Sequence, residues 1–219
     1  MKIEKNKLTI IYIRCIRILR ILNYKIFKMI EDFKGIDTLK YVDVEELGFT
    51  TESGFRYEHS KKKYLRKVLK DLNISHTDSI IDVGSGKGSA LIEFSKYPFS
   101  KIVGVELSNL LHVISNNNLI RLKVRNVNLF CMNAIQFADF NEFNYIYFYN
   151  PFPPATFKKV LGKIIQANKL TQHFFYIIYK NPTCHEVIMK SNYFEFVKQY
   201  KNKNFIFPQL DYINIYKSK

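Results

Sequence analysis

The chain reads as an α/β protein built on a doubly wound, mostly parallel sheet, and three observations point there. Short apolar runs of strand length alternate with stretches of helical composition. One of these runs, Ile80 to Val83, stops at the turn Gly84-Ser85-Gly86-Lys87-Gly88. Another, Ile102 to Val105, ends in an acid, Glu106, which follows Asp82 by 24 positions.

The elements can be justified in order. Between Leu8 and Ile30 apolar residues are dense, but basic residues interrupt them every few positions. No run there approaches the roughly 20 residues of a membrane span. Arg14, Arg17 and Arg20 advance in threes beside Ile11, Ile18, Leu22 and Ile26, as in an interfacial helix. Residues 1–33 are therefore read as a basic amphipathic N-terminal helix and residues 34–219 as one domain. Docking on a membrane surface, packing over the domain and dimerisation all fit this periodicity. The same arginines break the apolar core that a secretory signal needs.

Lys34 to Thr51 is a polar connection with acids at Asp43, Glu45 and Glu46, and Glu52 to Ser60 leads onward. The two stretches are expected to form part of a lid. Tyr64, Leu65, Val68, Leu69 and Leu72 then recur at helical spacing, which leaves Lys61, Lys62, Lys63, Arg66, Lys67 and Lys70 for a solvated face. Ile80 to Val83 reads as a strand buried on both faces, Ser89 to Lys96 as a helix, and Ile102 to Val105 as a parallel strand. Asn126 to Met132 and Tyr145 to Tyr149 are further strands, followed by a helix from Ala155 to Gln166. Phe174 to Tyr179, a short helix from Glu186 to Ser191, and strands at Phe194 to Tyr200 and Tyr212 to Tyr216 complete the pattern. A polar, proline-containing bend, Lys201 to Asp211, joins the last two.

Length bounds the organisation. At 219 residues and 47% hydrophobic, the chain can bury one substantial core, with no room for a second domain of normal size. A net charge of +15 has the sign of a nucleic-acid binder, but lysine is spread along the whole chain, so nucleic acid is not the favoured partner. Three cysteines, Cys15, Cys131 and Cys184, lie far apart and suit a reducing, cytoplasmic setting, peripheral to a membrane if the N-terminal helix docks there. Cys184-His185-Glu186 is one adjacent trio without the separated ligands of a metal site, so no metal is expected.

The strand, turn and distal acid carry the chemistry. Glycines let backbone N–H groups approach a ligand closely, and an acid at the end of the adjacent parallel strand can accept from both hydroxyls of a ribose. That combination predicts an adenosine moiety. Dinucleotide sites favour G-x-G-x-x-G or A, whereas the spacing here is G-x-G-x-G with Ser89 at the later position.

The run Ile-Asp-Val-Gly-Ser-Gly-Lys-Gly resembles motif I of class I S-adenosylmethionine-dependent methyltransferases, with Asp82 as its leading acid and Glu106 matching the ribose-binding acid. The resemblance covers about Tyr57 to Tyr216. It implies a Rossmann-like, seven-stranded sheet whose last strand runs antiparallel, and S-adenosyl-L-methionine as cofactor. Asp82, Gly84, Ser85, Gly86, Gly88, Glu106 and Leu107 would hold it. Asn133, where the family usually has Asp, and Ala134 would meet the adenine. Gly54 to Ser60 resembles a segment just upstream of motif I in a group of small bacterial members, which adds Tyr57 and Ser60 to the cofactor pocket. His59 stands where that group commonly has proline.

Asn150-Pro151-Phe152-Pro153-Pro154 resembles motif IV of members that methylate amino nitrogens, with the aromatic one place early. Methyl transfer needs an unprotonated nucleophile held in line, so positioning and desolvation dominate. Asn150 and the Pro151 carbonyl are expected to accept from the substrate nitrogen, with Phe152 as a wall. The expected activity is N-methylation of a protein, nucleic acid or small amine. The alternatives are a methyltransferase-like protein without turnover that binds RNA or membranes, and an NAD-type oxidoreductase.

Overall fold

The computed structural model of the protein describes residues 2–47, 55–59, 62–171, 173–201 and 212–219. Its centre is a seven-stranded sheet in the order β3-β2-β1-β4-β5-β7-β6. The strands are β1 (Ser79–Val83), β2 (Lys101–Glu106), β3 (Val127–Cys131), β4 (Tyr145–Tyr149), β5 (Tyr176–Lys180), β6 (Phe194–Lys201) and β7 (Tyr212–Ser218). The first five are parallel, and β7 runs antiparallel to both β5 and β6. This is the doubly wound sheet with a reversed C-terminal strand that the sequence implied.

Strand alternation divides the core into two layers. Ile81 and Val83 of β1 face one side with Val103, Val105, Ile146, Phe148 and Ile177. There they meet Phe157, Val160 and Ile164 of α6 (Pro154–Asn168). Ile80, Ile102, Tyr147 and Ile178 face the other side. They pack against Leu65, Val68 and Leu69 of α3 (Lys62–Asp71) and Leu91 and Phe94 of α4 (Ser89–Phe94). A strand covered on both faces loses its polar alternation, which is why these runs were legible as continuous apolar stretches.

Several elements differ from expectation. The N-terminal helix is not one of them, since α1 (Lys2–Lys34) lies within a residue of the 1–33 read from the sequence. The helix after the glycine turn stops at Phe94 rather than Lys96 because its last turn closes through Lys96 and Tyr97 N–H bonds to the carbonyls of Glu93 and Phe94. A four-residue helix, α2 (Val44–Leu47), interrupts the polar connection, and the short α7 spans His185–Lys190. A 13-residue helix, α5 (Asn109–Arg121), lies where no element was expected. Asn116-Asn117-Asn118 reads as turn composition, yet Ser108 caps the helix and Leu111, Ser115, Asn118 and Leu119 bury one side. Most of the expected bend from Lys201 to Asp211 falls outside the described residues.

Candidate active site

The carboxyl ends of β1, β2, β4 and β5 open into one cavity of about 570 Å³. A crevice at this edge is where doubly wound sheets take their ligands. It lies next to the β1–β4 junction, where strand order reverses.

At the β1–β2 end, the glycine turn is folded back on the neighbouring strand. Gly84 and Ser85 N–H groups donate to the Val105 carbonyl at 2.8 and 3.0 Å. The Glu106 carboxylate accepts from the Gly86 N–H and the Ser108 N–H, both at 2.8 Å. Burial pushes its carboxyl up, and these backbone donors, with Leu107, offset part of the shift. Asp82, two residues before the turn, is buried against the same cavity. Desolvation first, then the neighbouring Glu106 charge, hold its carboxyl well above the usual range.

Gly84 and Gly86 have φ values of +84° and +54°, and the space above each is already filled. A Cβ on Gly84 would lie 2.5 Å from the Pro151 Cβ, and one on Gly86 would lie 2.6 Å from the Tyr57 ring. Only glycine satisfies both the backbone and the contact. Tyr57 is held there from behind. Its hydroxyl donates to the Thr38 carbonyl at 2.6 Å, and its backbone pairs with Val42. Lys87, fully buried, pairs with Asp37 at 2.7 Å and donates to the Lys40 carbonyl at 2.9 Å. Asn118 of α5 completes the clasp by donating to the carbonyls of Asp37 and Lys87. The stretch after α1 is thus bolted to the turn, and Asp43, Val44 and residues 55–58 line the cavity.

At the β4–β5 end, Asn150 follows Tyr149 with φ +41°. Its Oδ1 accepts from the Thr183 hydroxyl. The Pro151 carbonyl accepts from the Phe55 N–H at 3.3 Å. Phe152 is buried, touches Phe148 edge to face with ring centres 6.4 Å apart, and also lines the cavity.

Of the residues expected from sequence, the cavity brings together Tyr57, Asp82, Gly84, Ser85, Gly86, Glu106, Leu107, Ala134, Asn150, Pro151 and Phe152. Two stand apart from its lining. Gly88, at φ +77°, is the N-cap of α4. Asn133 turns its Oδ1 back to accept from the Ile135 N–H at 2.9 Å, which fixes the turn that presents Ala134. Ser60 lies outside the described residues. His59 bonds the Thr38 carbonyl through Nδ1 at 3.0 Å, behind Tyr57. His185 bonds the Tyr216 hydroxyl at 2.8 Å, and Cys184 beside it is buried.

Asn181 and Thr183 also line the cavity and went unnoticed in the sequence. Their signal was position alone, just past the carboxyl end of β5. Ser85 and Ser89 line it too, and their hydroxyls are buried without a hydrogen-bond partner among the described residues. Polar atoms left in that state cost stability unless something else satisfies them.

The architecture is that of the class I S-adenosylmethionine-dependent methyltransferases. Aligned on this chain, an rRNA methylase from Streptococcus thermophilus gives a TM-score of 0.55 at 11% identity, over 73% of this chain and 97% of that one. An RNA methyltransferase from Salinibacter ruber, solved in complex with S-adenosyl-L-homocysteine, gives 0.51 at 13% identity, over 73% and 91%. Residues 76–207 match the model of a family described as "Putative methyltransferase", and the chain belongs to that family. Membership sets aside the oxidoreductase reading.

Among curated sequences, the Rickettsia prowazekii protein RP028 is 29% identical over 123 residues, which is 53% of this chain and 49% of that protein. EEF1A lysine methyltransferase 2 of Danio rerio is 29% identical over 87 residues, 40% of this chain and 34% of its own length. The chain therefore matches half or less of the length of these relatives.

S-adenosyl-L-methionine is the methyl donor of the class, and the β1–β2 end suits it chemically. A buried carboxylate short of donors and an acid held by backbone N–H groups fit a ligand carrying an ammonium and ribose hydroxyls.

Proposed function

We propose that the protein transfers a methyl group from S-adenosyl-L-methionine to an alkyl amine nitrogen of the lysine type. The observation that carries this reading is the charge of the cavity wall. Among the described residues, Asp43, Glu58 and Glu106 line it beside Asp82, whose buried carboxyl is held toward its neutral form, and the basic lining residue Arg56 is paired with Glu58 at 2.7 Å. A wall of that sign draws in an amine and repels phosphate. The printed name of the Danio rerio relative, a lysine methyltransferase, is in keeping with it.

Glu106 would hold the ribose and Asp82 the ammonium of the donor, with Ser85, Gly86 and Ala134 around it. When bound, S-adenosyl-L-methionine supplies an electrophilic methyl carbon on a sulfonium. The chain's own work is to bind, orient and dry the acceptor. Carboxylates at the mouth collect the cationic amine. Phe152, Tyr149 and Phe55 exclude water around the nitrogen once it has given up its proton, since only the free lone pair is nucleophilic. Asn150 Oδ1, already held by the Thr183 hydroxyl, keeps a second lone pair for an acceptor N–H. That bond orients the nitrogen and cannot take its proton, so the proton leaves to solvent or to a wall carboxylate.

The test is methylation of lysine-bearing peptides and small alkyl amines with a labelled methyl donor, read beside S-adenosylhomocysteine titration. Asn150→Ala is expected to lower turnover at least about 100-fold, with homocysteine-cofactor affinity within about twofold. Equal loss of both would show that Asn150 supports the fold of the cavity rather than the acceptor. Labelling of RNA and not of amines would overturn the acceptor assignment.

A further inference from the structure

We propose that α1 is a docking helix for anionic membranes, lying in the bilayer interface and holding the catalytic body at the surface. This goes beyond the methyl-transfer reading and does not depend on it. From Lys5 to Lys28 the chain carries seven basic residues and no acidic one. At about 100° per residue, Arg14, Arg17, Lys25 and Lys28 fall within an arc of about 80°. Another arc of about 160°, from Ile18 round to Ile16, carries no charge between Ile10 and Phe33. Ile18, Leu19, Leu22, Ile26, Met29 and Phe33 lie on it, and each is half exposed or more, Phe33 at 92%.

Six large apolar side chains along one helix face call for an occupant, because leaving them in water forfeits their burial. The charge pattern selects which. A second copy of the helix would cover the apolar arc, but it would bring two basic margins together with no acid between Lys5 and Lys28 to offset them. RNA would answer the cations and leave the aliphatic arc in water. An anionic bilayer meets both faces at once, with acyl chains under the apolar arc and acidic headgroups beside the arginines and lysines. Among the described residues no helix is long and apolar enough to cross a membrane, so α1 lies along it. Its last turn is fastened to the body. The buried Glu31 carboxylate accepts from the Thr38 and Leu39 N–H groups and the Thr38 hydroxyl, just ahead of the Asp37–Lys87 clasp over the glycine turn.

The chain contains no tryptophan, so the full-length Phe33→Trp protein carries a single reporter on the apolar arc. Its emission is expected to shift to the blue on vesicles of phosphatidylglycerol and phosphatidylcholine. Co-sedimentation of the unsubstituted chain with those vesicles should exceed that with phosphatidylcholine alone by at least about tenfold. Leu22→Asp with Met29→Asp, and Arg14→Glu with Arg17→Glu, should each reduce it by a similar factor, with thermal unfolding unchanged to show that the body is intact. Unshifted emission, absence of co-sedimentation with the anionic vesicles, or co-sedimentation of both double variants equal to that of the unsubstituted chain would overturn the proposal. So would an α1-dependent dimer in sedimentation velocity without vesicle binding. Tighter binding to single-stranded RNA, lost in the arginine variant and kept in the aspartate variant, would also count against it.

Discussion

The turn after β1 and the helix α1 treat water in opposite ways. From Ser85 to Ser89 every residue of the turn is buried, including a lysine and two serines. In α1, Glu31 alone is buried among the side chains described, and the exposed remainder includes leucines, isoleucines and phenylalanines. Each region keeps residues where ordinary partition would not place them. In the turn, some of the buried polar groups have partners from the chain: Lys87 has Asp37, and Glu106 next to the turn has Gly86 and Ser108. Others, the Ser85 and Ser89 hydroxyls, have none among the described residues. The contrast teaches that the ligand-free protein carries two different costs, buried hydroxyls without a partner at the turn and apolar side chains left in water on α1.

The largest test of this contrast lies in the shared core beneath the turn. Phe157 of α6 is fully buried, stacked on Tyr179 with ring centres 5.1 Å apart. Phe157→Ala should cost about 3–5 kcal/mol in denaturant unfolding, from lost transfer energy and a residual cavity.

Asp82→Asn should act with the opposite sign. Burial holds the Asp82 carboxyl well above its ordinary 3.8, so between that pH and the raised value the folded chain keeps a proton that the unfolded chain has released. Stability of the ligand-free protein therefore falls as pH rises through the raised value. The asparagine variant should be more stable than the parent near neutral pH by about 1–2 kcal/mol, and should lose that pH slope. On the proposed reading it also binds S-adenosylhomocysteine at least about tenfold more weakly. A variant that is less stable without ligand would show that the carboxylate serves the fold.

The smallest effect belongs to the exposed helix. Leu22→Ala should change unfolding free energy by no more than about 0.5 kcal/mol, since half of the Leu22 side chain already meets solvent. A cost above about 1 kcal/mol would mean that this face is covered in the free protein, and the comparison would fail.

What could be read beforehand follows from how local each signal is. Ile80 to Val83 was legible because a parallel strand covered on both faces loses its polar alternation, Asp82 being the one polar residue in the run, and the turn after it because Gly84 and Gly86 take conformations that other residues resist. Helix α5 was not. Its three adjacent asparagines favour turns when taken alone, and Asn118 is helical in a setting where its side chain bridges Asp37 and Lys87. Asn133 illustrates the converse. The family resemblance placed it at the adenine, and in the structure its Oδ1 accepts from the Ile135 N–H two residues along.

The sequence by itself determined the sheet, its glycine turn and the acid at the end of β2, because burial on two faces and positive φ each leave a residue-level mark. It also determined the charge and apolar pattern of α1, since helical spacing alone sorts those residues onto faces. The tertiary structure decided which polar groups are satisfied. Lys87 met Asp37 across 50 positions, Thr183 met Asn150 across 33, and Phe55 met the Pro151 carbonyl from a stretch far upstream. Contacts of that range depend on where distant backbone arrives in space, and no local pattern encodes the arrival.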